Sequence, residues 1–218
     1  MQSCWHGEKE KNAMEYPKIE TLYERDEHTH RLKPDMVLKN RTYSLIKSWL
    51  WTEKIDGTNI RVKWNPIIPA PLSFCGKSDN AQIHADLIKH LYELVSAEKM
   101  REIFPETSAV IYGEGYGSGI QKGGDYSPTK KFIVFDVLVD GKWWMNWENT
   151  CDIATKISLD VVPFFGEMTL EEASDIVKAG FPSKIGKARA EGLVGRTIEP
   201  LFDKKLHRLI VKLKTKDF

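Results

Sequence analysis

The chain has 218 residues, enough for one large domain with a sizeable core. Its 41% hydrophobic and 29% charged content is that of a soluble globular protein, and no apolar run approaches the ~20 residues of a bilayer span. A formal net charge of +1 excludes a global attractive field for nucleic acid, so any such surface is a local patch.

Cys4, Cys75 and Cys151 are far apart and odd in number, with no Cys-x-x-Cys pair. That argues against a zinc ribbon or disulfide framework and fits a reducing cytoplasm. The start, MQSCWHGEKEKN, has no apolar core and is not a signal peptide. Residues 1–13 are expected to be disordered or an added extension, with one domain over 14–218. Within 16–35, His28 and His30 alternate near Asp26; a solvated loop or edge strand is the better reading, and a metal site the minor one. From Tyr43 to Trp51, Leu45, Ile46, Trp49 and Leu50 are expected to pack into a core.

Next comes Glu53-Lys54-Ile55-Asp56-Gly57-Thr58-Asn59. Ile60, Val62 and Trp64 alternate with Arg61 and Lys63, so a strand follows Asn59. Gly57 marks a tight turn, which leaves Lys54 at a strand entrance where it can face a pocket. A lysine nucleophile must lose its proton, and burial and nearby cations favour the neutral amine. An ordinary exposed lysine before a hairpin is the plain alternative.

A Pro-rich loop leads to a short strand over 72–75. Asp79 or Asn80 can cap a helix over 81–103, where Ile83, Leu87, Leu91, Leu94 and Val95 recur at helical spacing. His84 and His90 on it read as surface or packing residues. A strand over 109–112 is expected to deliver Glu114 to a Gly-rich loop that matches neither a Walker loop nor the dinucleotide fingerprint. Residues 131–139 form the clearest strand, apolar on both faces and so central, and Asp140-Gly141 turns it back into Trp143-Trp144. By itself Phe135 reads as core. Residues 147–157 suggest a helix and 161–165 a buried strand. Thr169-Leu170-Glu171-Glu172 is a capping box that starts a helix stopped by Gly180. Glu191 opens the strand EGLVGR. The last strand is expected over 206–213, with Lys212 and Lys214 about 7 Å apart on one face, able to straddle a phosphate; a solvated cationic edge is the alternative.

Taken in order, Glu53 to Asn59, IYGEGYGSG over 111–119, FIVFDVLV over 132–139, EGLVGR over 191–196 and VKLK over 211–214 resemble the covalent nucleotidyltransferase superfamily of ligases and capping enzymes. The closer likeness is to the phage-type RNA ligase 2 family, whose nucleophile motif reads Glu-Lys-x-x-Gly-x-Asn. The resemblance implies an α+β nucleotidyltransferase domain, with antiparallel sheets forming an ATP cleft and helices outside. It also implies an ATP-dependent RNA ligase that charges Lys54 with AMP, passes it to a 5′-phosphate and joins that end to a 3′-hydroxyl. In this scheme Lys212 and Lys214 contact the α-phosphate and assist catalysis. Glu191 holds Mg²⁺, with Mn²⁺ a possible substitute. Glu114 binds the ribose, Phe135 stacks on adenine and Asn59 orients the phosphate–metal end. Glu53, Ile55 and Lys77 complete the nucleotide site.

Two positions depart from the family. Asp56 stands where the nearest members often carry His. Gly76-Lys77-Ser78 stands where a Lys-Arg pair is usual, and Lys does not reproduce the bidentate grip of Arg. The resemblance implies RNA as partner, a monomer, no membrane, and a cytoplasmic setting (a host's, if the chain is phage-encoded). No accessory domain is expected after Lys214, so nucleic-acid binding is expected to be weak and salt-sensitive. A DNA ligase, a capping guanylyltransferase and a nucleotide-binding module without catalysis are the alternatives.

Overall fold

A computed structural model describes residues 15–29 and 31–218. The expected extension over 1–13, and His30, lie outside the described residues. Among the described residues ten strands and four α-helices follow in order: β1 Glu20–Thr21, β2 Trp49–Lys54, β3 Thr58–Trp64, β4 Leu72–Cys75, α1 Ala85–Leu94, α2 Ala97–Ile103, β5 Ala109–Tyr116, β6 Lys131–Val139, β7 Trp143–Trp144, α3 Trp147–Ile157, β8 Phe164–Met168, α4 Leu170–Ala179, β9 Gly192–Arg196 and β10 Ile210–Lys214. They divide between two compact units interleaved along the chain. The first takes residues up to Pro17, Thr58–Gly115 and Lys130–Val161; the second takes Lys18–Gly57, Tyr116–Thr129 and Val162–Phe218. The class is α+β, as the sequence implies.

In the first unit one sheet runs β4-β3-β5-β6-β7. Ile60, Val62 and Trp64 alternate along β3 and are buried, as the period-2 pattern requires. Arg61, on the other side, is also fully buried. Its Nε donates to the Gly76 carbonyl at 2.8 Å and its Nη2 to Asp79 Oδ1 at 2.8 Å. Asp79 is thereby committed to a strand and does not cap the helix, which starts later, at Ala85. Nor is there one helix over 81–103. Val95 takes an extended conformation (φ −114°, ψ 116°), and Ser96 Oγ accepts from the Lys99 N–H to start α2. A β-branched residue followed by a serine N-cap favours a restart over continuation. Strand β6 and helix α3 have the expected bounds. Asp140 (φ 50°) and Gly141 (φ 64°) form the left-handed pair of a two-residue hairpin. The clearest strand is interior and buried on both faces, as expected: β6 lies between β5 and the two-residue β7.

In the second unit the order is β1-β10-β9-β2-β8, antiparallel except for the β1–β10 pairing. Trp49, Trp51, Leu193, Val211 and Leu213 from this sheet pack with Leu170, Ala173 and Val177 of α4. Truncating Trp51, fully buried, to Ala should cost about 3–5 kcal/mol. The capping box at Thr169 and Glu172 forms in both directions. Three expectations are corrected. The strand expected over 161–165 is β8, a partly exposed edge. The last strand begins at Ile210, because 201–209 turn back on themselves first. Leu45 is 81% exposed, on the 3₁₀ turn Arg41–Leu45, rather than packed inward. Among the described residues no helix is long and apolar enough to cross a membrane.

Candidate active site

Strand register assembles the second unit's charged groups. β9 lies between β2 and β10, and Gly192 is paired with Lys54 on one side and Lys214 on the other. Glu191, one residue earlier, reaches both lysines. Lys54 Nζ donates to its Oε2 at 2.5 Å and Lys214 Nζ to its Oε1 at 2.6 Å. Burial alone would raise the Glu191 carboxyl, but the ammonium groups of Lys54 and Lys214 outweigh it and hold it below the usual carboxylate range. Gly192 is needed for this close approach, because a Cβ there would sit 1.9 Å from the Leu213 carbonyl oxygen.

Lys212, two residues before Lys214, is half-buried; its carbonyl accepts from the Leu22 N–H at 3.1 Å, and its side chain makes no hydrogen bond or ion pair with a described residue. Burial, then the charges of Lys214 and Lys54, lower its pKa. Three ammonium groups against one carboxylate leave a net positive site.

Glu53 points elsewhere. Its carboxylate, 1% exposed, accepts from Ser183 Oγ at 2.5 Å and from the Lys184 N–H at 2.9 Å. Burial raises its pKa, and those two donors only partly offset the rise. Beyond the lysine, Ile55 is buried. Tyr126 takes a hydrogen bond from the Asp56 backbone, while burial pushes its phenol up to about 12. The turn after Lys54 is therefore held on both sides, by Glu53 to the Ser183 hydroxyl and the Lys184 N–H and by Asp56 to Tyr126. Sequence reasoning missed Tyr126 and Ser183. Tyr126 lies just after the Gly-rich segment 111–119 that carries the resemblance; Ser183, in the turn after Gly180 stops the helix, carries no signal.

In the first unit Asn59 and Glu114 are direct cross-strand partners. Glu114 is on β5 itself, not on the loop after it, because β5 continues to Tyr116. Asn59 Oδ1 is buried with no hydrogen-bond partner among the described residues. Phe135 is half-buried, its ring centroid 5.0 Å from that of Tyr16 in an edge-on contact, and the Tyr16 hydroxyl donates to Asp136 at 2.7 Å. Lys77 is exposed on the loop that Arg61 anchors. The Asp26 carboxylate closes on its own turn, accepting from the His28 and Thr29 N–H groups and Thr29 Oγ. Among the described residues no cluster of three His, Cys, Asp or Glu could hold a metal ion.

This lysine-rich strand ending can be compared with known proteins. A family model described as RNA ligase matches residues 47–214, most of the chain. The chain belongs to the RNA ligase family. Among curated proteins none is significantly similar in sequence. Solved structures of similar fold include a lysine-to-alanine variant of Naegleria gruberi RNA ligase with ATP and Mn, at TM-score 0.65 and 16% identity. A second lysine-to-alanine variant with ATP and Mn matches equally, at 0.65 and 16%. The same ligase with PPi gives 0.61 and 16%. Each match covers 92% of this chain and 62% of the Naegleria chain, so this RNA ligase family member spans less than two thirds of that protein's length.

Proposed function

We propose that the protein is an ATP-dependent RNA ligase working through a lysyl-AMP intermediate on Lys54. The observation that carries this reading is Lys212, a half-buried ammonium with no ion-pair partner among the described residues, beside the Lys54–Glu191–Lys214 chain. An unpaired buried charge is costly, and a phosphate oxygen relieves it. Family membership supports RNA as the substrate, and the ATP and Mn of the Naegleria structures support the nucleotide and a divalent ion.

Lys54 leaves Glu191, loses its proton to solvent and attacks the α-phosphorus of ATP. An N–P bond forms and the P–O bond to pyrophosphate breaks. Lys212 and Lys214 hold the α-phosphate oxygens as charge shifts between them; in phosphoryl transfer positioning and charge stabilisation do most of the work. An oxygen of an RNA 5′-phosphate then attacks the same phosphorus, and the Lys54 amine departs and takes up a proton. Finally a 3′-hydroxyl attacks the activated 5′-phosphorus, loses its proton to solvent and displaces AMP. Glu114 and Asn59 serve the ribose and the phosphate end, Asn59 through its orphaned Oδ1. Phe135 stacks on adenine; Ile55 packs beside the base; Lys77 binds phosphate. Glu53 acts on the nucleotide site through the backbone it anchors. The carboxylate oxygens of Glu191 are hard donors that fit Mg²⁺ or Mn²⁺. The ion, when bound, neutralises triphosphate charge. The protein is read as a monomer.

The test is transfer of label from α-labelled ATP to protein that has first been treated with pyrophosphate, with Mg²⁺ or Mn²⁺ present. Label on the wild type and none on Lys54→Ala is expected. An unlabelled wild type would overturn the proposal.

A further inference from the structure

The stretch 201–209, which feeds directly into the strand of Lys212 and Lys214, is a small hairpin. Phe202 bridges to Arg208, and the Leu209 N–H donates to the Leu201 carbonyl at 2.8 Å. Its single acid is engaged by its own turn: Asp203 Oδ1 accepts from the Lys205 N–H at 2.8 Å and the His207 N–H at 2.9 Å. Oδ2 lies 3.4 Å from the His207 imidazole. Lys204 and Lys205 are exposed and make no ion pair with a described residue. Phe202 is 43% exposed, and Leu206 is 81% exposed at a left-handed φ of 62°. A bulky apolar side chain in that conformation at a hairpin tip contributes nothing to a core and carries a backbone cost. Together with Thr42 of the 3₁₀ turn, Phe202, Lys204, Lys205, His207 and Leu209 line a shallow groove of about 450 Å³, with the Asp203 carboxylate, held by its own turn, also on its wall.

We infer that this hairpin is a contact surface for single-stranded RNA next to the end being joined, with Lys204 and Lys205 on the phosphates and Phe202 under a base. Charge complementarity selects a polyanion: the net charge of the whole chain is only +1, yet both lysines face solvent and the local carboxylate is consumed by backbone donors. The exposed ring selects an unpaired strand, because only an unstacked base offers its face to an aromatic side chain. The inference rests on the ligase reading for its choice of RNA, but the hairpin contains none of the residues assigned to ATP.

The experiment measures binding of a 5′-phosphorylated RNA 12-mer to the intact protein at several salt concentrations by fluorescence anisotropy. Transfer of α-label from ATP is measured on the same preparations. Lys204→Ala/Lys205→Ala is expected to raise Kd about tenfold and to flatten the slope of log K against log salt by about 1.4, two phosphates at about 0.7 each for a single strand. Phe202→Ala is expected to raise Kd about tenfold without changing that slope, and Phe202→Tyr to bind like wild type. Labelling stays at wild-type level in all three. Unchanged Kd and slope in both alanine variants would overturn the surface and leave the ligase reading standing, as would a wild type that is labelled but binds no RNA. The expected binding pattern in protein that takes no label would support the surface and overturn the ligase reading.

Discussion

Glu191 is shared by two ammonium groups, and each of its carboxylate oxygens is spoken for. Replacing it with Gln keeps the shape and removes the charge. Glu191→Gln should lower label transfer from ATP by about 10²–10³-fold, the usual loss when a preorganised electrostatic contact is removed. Its folded-state pKa lies below the unfolded value, so its contribution to stability is complete above the ordinary carboxylate range and is lost as pH falls through the folded pKa. Urea midpoints of wild type and Glu191→Gln should therefore differ most near neutral pH and converge in acid. Lys212 is the opposite case. Its folded pKa is lowered, so the unfolded chain binds the proton more strongly and stability rises as pH climbs towards the ordinary lysine value. Lys212→Met should be more stable than wild type at neutral pH, with the gap closing in alkali, and about 10²-fold slower in label transfer. A variant less stable at neutral pH would mean that Lys212 already has a compensating partner.

At the scale of elements, the site is a product of strand register. β2, β9 and β10 bring Lys54, Glu191 and Lys214 together only because β9 begins with Gly192 pressed against the Leu213 carbonyl. Gly192→Ala should destabilise the fold by about 3 kcal/mol, the upper end for overpacking a tight contact, and reduce label transfer with it. Thermal unfolding checks the first effect; an unchanged midpoint would show that β10 moves aside freely. Much of this level was legible. The bounds of β4, β6 and α3 and the capping box of α4 follow from local periodicity and capping chemistry. The helix break at Val95–Ser96 was not, because apolar spacing runs through it and only the rival N-cap decides. Nor was the commitment of Asp79, since a carboxylate before a helix reads as a cap until a buried arginine from a strand claims it. Strand β10 was read four residues too early, because no Gly or Pro marks the turn through Leu206, where the backbone is left-handed.

At the scale of the molecule, a net charge of +1 leaves recognition of a polyanion to local patches. RNA binding should therefore be weak and salt-sensitive. Affinity should fall by about one to two orders of magnitude between 50 and 200 mM salt, less than the drop for a protein with six or more phosphate contacts. Tight binding unchanged by salt would contradict a surface built from so few cations.

The sequence by itself determined the class of fold and the family likeness and nominated the candidate site residues, because short-range patterns and ordered motifs are properties of the chain alone. Only the tertiary structure decided how those residues are held. Glu53 turns to the Ser183 hydroxyl and the Lys184 N–H, Tyr126 braces the turn after Lys54, Lys54 rests on Glu191, and the Lys212 ammonium has no ion-pair partner among the described residues. The reason is physical: the partner of a buried charge is fixed by strand register and by which backbone donors lie within about 3 Å, and neither is encoded in the neighbouring residues.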